Sequence, residues 1–247
     1  MQKNFGWLVP DEPLLSSPRI FSASEISGMA EKRSVEDKVL RIKDQFELGS
    51  CTGQSATYAF QIVDSINGEV PVEYSALDVY RGARWYINRI NEDYGAYLRD
   101  ALNYSSNFGI CLERDWPYQT RKFRDEPGIE ILQKRDKVKL VNYEMISSDV
   151  NHVRWELCSD HIVVAGFRIT EQWQEPGVKV IGPPKGRVIG GHAVTLVGYD
   201  HKTKYFRVLN SWGKNWGENG FFWLHYDWLN FPNCGEIHSV RVVRRSI

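Results

Sequence analysis

Three residues far apart in this 247-residue chain could together make one thiol reactive. Cys51 closes the stretch Gln45-Phe46-Glu47-Leu48-Gly49-Ser50-Cys51, His192 lies in Gly191-His192-Ala193-Val194, and Asn210 opens Asn210-Ser211-Trp212-Gly213. An ordinary cysteine has a pKa of about 8.5, and a helix N-terminus with an adjacent imidazolium lowers it to about 3.5–7.5. A thiolate formed in that way can attack an amide carbonyl, after which His192 protonates the leaving amine and later activates water. The Gln45 side-chain amide and the Cys51 backbone N–H are the candidate donors to the oxyanion that develops, a contribution of about 2.7–4 kcal/mol per donor. Asn210 is expected to accept from the other ring nitrogen of His192 and fix its tautomer, with Trp212 shielding that bond. Taken singly, a cysteine after Gly-Ser reads as structural and a histidine in an apolar strand as a satisfied core residue. Jointly with Gln45 and Asn-Ser-Trp-Gly, in this order, they argue for catalysis.

The elements that must position these groups are legible in the periodicity. Ala56, Ala59, Ile62, Val63 and Ile66 recur at helical spacing, and Gly68 followed by Pro71 ends the run, so Cys51 opens a helix. Residues from Ser75 to about Asn107 read as two further helices, separated near Asp93-Tyr94-Gly95. Beyond Pro117 and Pro127 the character changes, and Val138 to Tyr143, Ile162 to Ile169, His192 to Tyr199, Tyr205 to Leu209, Gly220 to His225 and His238 to Val243 read as strands. Residues 1 to about 34 carry Pro10, Pro13 and Pro18 with little periodicity and read as an extended segment too short for its own core. Gly182-Pro183-Pro184-Lys185-Gly186 lacks the Gly-Lys-Ser/Thr of a phosphate loop and reads as a surface loop.

Gln45 with Gly49-Ser50-Cys51, Gly191-His192-Ala193-Val194, and Asn210-Ser211-Trp212-Gly213 with Trp216-Gly217-Glu218 and Gly220 resemble the three active-site segments of the papain-like cysteine peptidases. The resemblance runs from roughly Lys43 to Arg244. It implies an α+β, two-lobed fold: a helical lobe over about 35–135 carrying Cys51, and a β-rich, barrel-like lobe over about 136–247 carrying His192 and Asn210, with the cleft between them. It also implies amide hydrolysis through a thioester by Cys51, His192, Asn210 and Gln45, endopeptidase action by default, a polypeptide substrate, and no metal or organic cofactor. For substrate binding it points to Gly95, a glycine before a first-lobe helix, and to Gly191 and Trp212. Phe167 is read either as a pocket wall or as a core aromatic. Leu48 and Thr52 depart from the Cys and Trp of the plant and lysosomal enzymes, and Cys234 lacks its usual disulfide partner. The chain is closer to the compact bacterial, archaeal or phage members, and residues 1–34 are expected to pack across a lobe or cover the cleft. Acyl transfer or hydrolysis on isopeptide or cell-wall crosslinks uses the same residues and stays open as an alternative, as does an inactive binding homologue.

Composition narrows the setting. Thirty-one basic and 31 acidic residues cancel, so no whole-chain field favours nucleic acid or an anionic membrane. The four cysteines are neither clustered as in zinc sites nor dense enough for a disulfide scaffold, and Cys111, Cys158 and Cys234 are expected to be buried thiols. The start lacks a secretory signal and no apolar run reaches about 20 residues, so a cytoplasmic, phage or virion setting is expected, with no obligate partner.

Overall fold

The computed structural model describes residues 5–135, 138–230 and 232–245. The helical half holds α1 (Ala23–Gly28), α2 (Cys51–Ile66), α3 (Ala76–Tyr86), α4 (Leu98–Phe108) and α5 (Ile129–Arg135); β1 (Lys32–Ser34) falls among them. The β half holds β2 (Val138–Met145), α6 (Val150–Cys158), β3 (Ile162–Thr170), β4 (Val180–Ile181), β5 (Val188–Asp200), β6 (Tyr205–Leu209), β7 (Phe221–His225) and β8 (Cys234–Arg245). The sheet order is β2-β8-β3-β5-β6-β7-β4, with β1 pairing β5 outside that path.

The helix α2 is buried along nearly its whole length, polar residues included, because it lies between α3 and α4 on one side and strands β5 and β8 on the other. Small residues permit this: a Cβ on Gly53 would come within 2.5 Å of the Ala76 carbonyl oxygen. Its N-terminus carries no side-chain cap, since the Ser50 hydroxyl bonds Tyr118 Oη at 2.6 Å instead. The first amides of a helix have no intrahelical acceptor, so they remain available at Cys51. By contrast α3 is capped by Ser75, and α4 receives its cap from another element: the Glu236 carboxylate of β8 accepts from the Leu98 and Arg99 amides.

One apolar core lies between the helices and the sheet, with Tyr58, Phe60, Leu77, Tyr80, Leu102, Val164 and Val197 among its members. A second lies on the other face of the sheet, where Phe167, Trp173, Phe206, Phe222 and Trp228 interlock. β5 runs through the middle, with β3 on one side at register Phe167 opposite His192 and β6 on the other at Thr195 opposite Leu209. That register delivers Asn210, one residue past β6, to the side of His192.

Three features differ from the sequence reading. Residues 1–34 are not extended throughout: Ser22 and Glu25 form a reciprocal capping box that starts α1, and Lys32–Ser34 joins the sheet. The helix α6, opened by Asp149 accepting from the His152 amide at 3.0 Å, lies inside the β half. Cys158 is only half-buried, its Sγ 2.8 Å from Tyr199 Oη, while Cys111 and Cys234 are buried; all four cysteines are free thiols. Residues 1–4 and 246–247, the ends of the expected segments, lie outside the described residues.

Candidate active site

Cys51, His192, Asn210 and Gln45 are all fully buried and come together where α2 abuts β5 and the end of β6. His192 Nε2 is 2.8 Å from Asn210 Oδ1. The same oxygen accepts from the Ser211 amide at 2.8 Å, which fixes the orientation of the Asn210 amide, because an N–H needs an oxygen opposite it. An oxygen can only accept, so Nε2 carries the proton and Nδ1 keeps its lone pair. Among the described residues that Nδ1 makes no hydrogen bond. The Trp212 ring lies 4.6 Å from the imidazole at 30°, covering it, with Trp216 edge-on behind. Gln45 is pinned at both ends of its amide: Nε2 donates to the Leu48 carbonyl at 3.0 Å and Oε1 accepts from Ser211 Oγ at 2.7 Å. Tyr118 Oη, which donates to the Gln45 carbonyl at 2.9 Å, ties this loop to the first residue before α2.

The cleft between the lobes is filled by the chain's own N-terminal segment. Trp7 N–H donates to the Gly191 carbonyl at 3.1 Å, Leu8 N–H to the Ala96 carbonyl at 3.0 Å, and Ala96 N–H to the Gly6 carbonyl at 2.8 Å. Gly6 passes so close to Gly49 that a Cβ there would fall 1.7 Å from the Gly49 oxygen, and a Cβ on Gly95, itself at φ +88°, would meet the Gly6 oxygen at 2.5 Å. Both positions therefore require glycine. Phe5 packs toward Trp212, and its ring lies where a Cβ on Gly190 would be. Farther on, Leu14 N–H donates to the Gly235 carbonyl at 2.7 Å, and Arg19 and Phe21 stack on Trp155 of α6.

This cover changes the electrostatics expected from the sequence. Burial pushes the Cys51 thiol up to about 11, even though the amides of Ala193, Gly6 and the start of α2 bond its sulfur. Burial likewise pushes His192 down to about 4 despite its bond to Asn210. In the covered state the pair is a neutral thiol and a neutral imidazole. The expected lowering by a helix N-terminus and an imidazolium is overridden, because withdrawing both groups from water disfavours each charge.

The substrate-binding candidates divide. Gly95, Gly191 and Trp212 all touch the segment in the cleft. Phe167 does not: it is wholly buried in the second core against Trp173 and Trp228, because successive residues of a strand face opposite ways and its neighbour Gly166 takes the cleft side. Residues to which the sequence reading gave no role include Gly6, Trp7, Gly166 and Glu236. The only local signal among them was the aromatic-glycine-aromatic run Phe5-Gly6-Trp7 in a segment otherwise marked by prolines. No group of three or more His, Cys, Asp or Glu among the described residues is placed to hold a metal ion, and none of their helices is long and apolar enough to cross a membrane.

A buried cysteine at a helix start, faced across a two-lobed cleft by a histidine bonded to an asparagine, is the arrangement of a thiol-dependent hydrolase. Residues 28–242 match the family described as papain family cysteine protease, and the chain belongs to that family. It is 34% identical over 210 residues to an uncharacterized peptidase C1-like protein of Acanthamoeba polyphaga mimivirus, covering 78% of this chain and 67% of the relative. Chymopapain of Carica papaya is 30% identical over 141 residues, which span 53% of this chain but only 37% of the relative's length. Among solved structures, xylellain, a cysteine protease from Xylella fastidiosa, superposes with a TM-score of 0.87 at 25% identity over 98% of this chain and 97% of that one.

Proposed function

We propose that the chain is a peptidase that cuts within polypeptides, with Cys51 as nucleophile, His192 as acid and base, Asn210 as the group orienting His192, and Gln45 with the Cys51 amide as oxyanion donors. The observation that carries the substrate class is the segment in the cleft. The cleft holds an extended polypeptide through backbone bonds from Gly191 and Ala96, and the chain continues beyond it on the Leu14 side. A groove that grips backbone along a through-running chain favours internal cleavage.

In the reaction, His192 Nδ1 takes the thiol proton, and the sulfur of Cys51 forms a bond to the substrate carbonyl carbon. Negative charge on the oxygen is met by Gln45 Nε2 and the Cys51 N–H. The C–N bond then breaks, and the proton on Nδ1 goes to the leaving amine. Water, deprotonated by the same nitrogen, attacks the thioester, releasing the carboxylic acid and returning the thiol. The chain's own segment is spared because it presents the wrong atoms: Gly6 offers its N–H to the sulfur, while its carbonyl is held by Ala96. Residues 5–10 thus act as a cover that must leave before substrate enters.

An epoxysuccinyl thiol reagent with peptide mapping tests this reading. Single-site labelling at Cys51 that is lost in His192→Ala, together with hydrolysis of casein, is the expected result. Preference for isopeptide-linked peptides or peptidoglycan over casein would move the substrate class, and no turnover after the cover is displaced would sink the catalytic assignment.

A further inference from the structure

The side chain of Trp7 fills a slot built for it. A Cβ on Gly166 would lie 2.1 Å from the indole, one on Gly191 2.9 Å from it, and one on Gly235 2.9 Å from its far edge. Three glycines therefore wall a flat space that any other residue at those positions would close. At the floor, Glu236 Oε2 accepts the indole Nε1–H at 2.7 Å.

The Glu236 carboxylate is wholly buried and is fixed from behind. Its Oε2 also accepts from the Leu98 amide at 3.0 Å, and its Oε1 accepts from the Arg99 amide and faces His238 Nε2 at 3.0 Å. Burial raises such a group, yet these donors, with the Trp7 indole, hold it below the usual carboxylate range. It is an anion seated at the positive end of α4. Its position is held by donors from α4 and from β8 itself. One of its lone pairs points into the slot and is satisfied here only by an N–H on the side chain seated there.

Resting on the peptidase reading above, we infer that Glu236 is a selectivity residue of the cleft, choosing substrates that place an indole in this slot. Phenylalanine would fill much of the same volume but leave a buried anion without one of its partners, and an unsatisfied charged acceptor is costly. Selectivity of a pocket built to bond a donor is far stronger against the analogue lacking it than selectivity by size. The cover segment exploits the same feature: Trp7 is both its anchor and an image of the preferred guest.

The test uses full-length Trp7→Ala, which vacates the slot while keeping the chain whole. Peptides identical except for one position, carrying tryptophan, 1-methyltryptophan, phenylalanine or arginine, are compared for protection of Cys51 from alkylation and for their rate of hydrolysis. Tryptophan should protect and react about 10-fold or more better than 1-methyltryptophan, which keeps the ring and lacks the N–H. Equal behaviour of that pair, or arginine outperforming tryptophan, would overturn the inference. Protection needs no turnover, so donor-dependent protection without hydrolysis would tell against the peptidase reading and leave the slot assignment standing. Should Trp7→Ala not fold, Glu236→Gln in the otherwise native chain provides the second reading. It keeps the side-chain volume but leaves one carbonyl oxygen where two served Trp7, Leu98, Arg99 and His238, so the Trp7 bond weakens and Cys51 alkylation is expected to be faster by about 10-fold; an unchanged rate would refute the role.

Discussion

At the scale of single residues, the chemistry depends on which atoms are denied partners. Among the described residues His192 keeps one nitrogen without a hydrogen bond, because Asn210 Oδ1, itself oriented by the Ser211 amide, can only take the proton of the other. Gln45 is held from both sides, its Nε2 donating to the Leu48 carbonyl and its Oε1 accepting from Ser211 Oγ, so the amide is fixed before any substrate arrives. Donors fixed in advance cost no reorganisation when charge develops. Replacing Gln45 by alanine should therefore lower kcat by roughly 10²–10³-fold with little change in KM, measured on a chain whose cover has been displaced; a loss confined to KM would assign Gln45 to binding instead. The buried neutral pair also makes a pH prediction. The His192 imidazole falls from an ordinary 6.5 to about 4, so its contribution to stability is complete above 6.5 and lost as pH drops through 4. The Cys51 thiol rises from 9.0 to about 11, so its contribution is complete below 9 and lost as pH climbs toward 11. Urea midpoints should fall toward acid more steeply in the native chain than in His192→Ala, by at most about 1.4 kcal/mol per pH unit. Parallel curves would show that His192 is not buried neutral.

At the scale of elements, α2 is the part that cannot be altered cheaply. It must present Cys51 at its uncapped start while lying buried between helices and sheet, and the close approach of α3 depends on Gly53. An alanine in mid-helix ordinarily gains about 0.5–1 kcal/mol over glycine. Here its Cβ would sit 2.5 Å from the Ala76 carbonyl and 3.0 Å from Tyr80, and backbone cannot swing aside as a side chain can. Gly53→Ala should therefore destabilise, by about 1–3 kcal/mol in urea unfolding, reversing the sign set by helix propensity. A second element-scale dependence runs through β8, whose Glu236 serves at once as cap for α4 and floor of the Trp7 slot. The acid-sensitive network around Glu156 on α6 is of similar kind. Burial alone would raise this carboxyl, but His152, His161, Ser239 and Arg241 together hold it well below the usual range, tying α6 to β8.

At the scale of the whole molecule, the N-terminal segment strings the lobes together. It enters the cleft at Phe5, crosses β8 at Leu14, stacks on α6 at Phe21, and joins β5 through Lys32–Ser34. Between these anchors Ile20 is 94% exposed, which makes that stretch the accessible place to break the chain. A protease site engineered at Ile20 should, once cut, turn the cover from an intramolecular ligand into a dissociable peptide. The rate of Cys51 alkylation is then expected to rise on dilution, whereas the uncut protein should be insensitive to dilution. Insensitivity in both would mean that the cover stays bound without its tether, or that it does not limit access.

By itself the sequence determined the motifs that the fold gathers around Cys51 and most of the elements that carry them. The order Gln45, Cys51, His192, Asn210 was readable because each sits in a short motif whose neighbours are as distinctive as itself. The helix from Cys51 and the strand Tyr205–Leu209 were readable because apolar periodicity is a local property. What only the tertiary structure decided depends on contacts between residues far apart in the chain. Phe167 faces the second core while its neighbour Gly166 faces Trp7 in the cleft, and which of two adjacent strand residues turns to the cleft is set by packing against distant segments and is not written in the strand alone. The roles of Gly6, Trp7 and Glu236 arise where three separate stretches meet within hydrogen-bond distance. The protonation of Cys51 and His192 was invisible for the same reason: burial by a segment far upstream of both, and not the residue types, removes the water that their charges need.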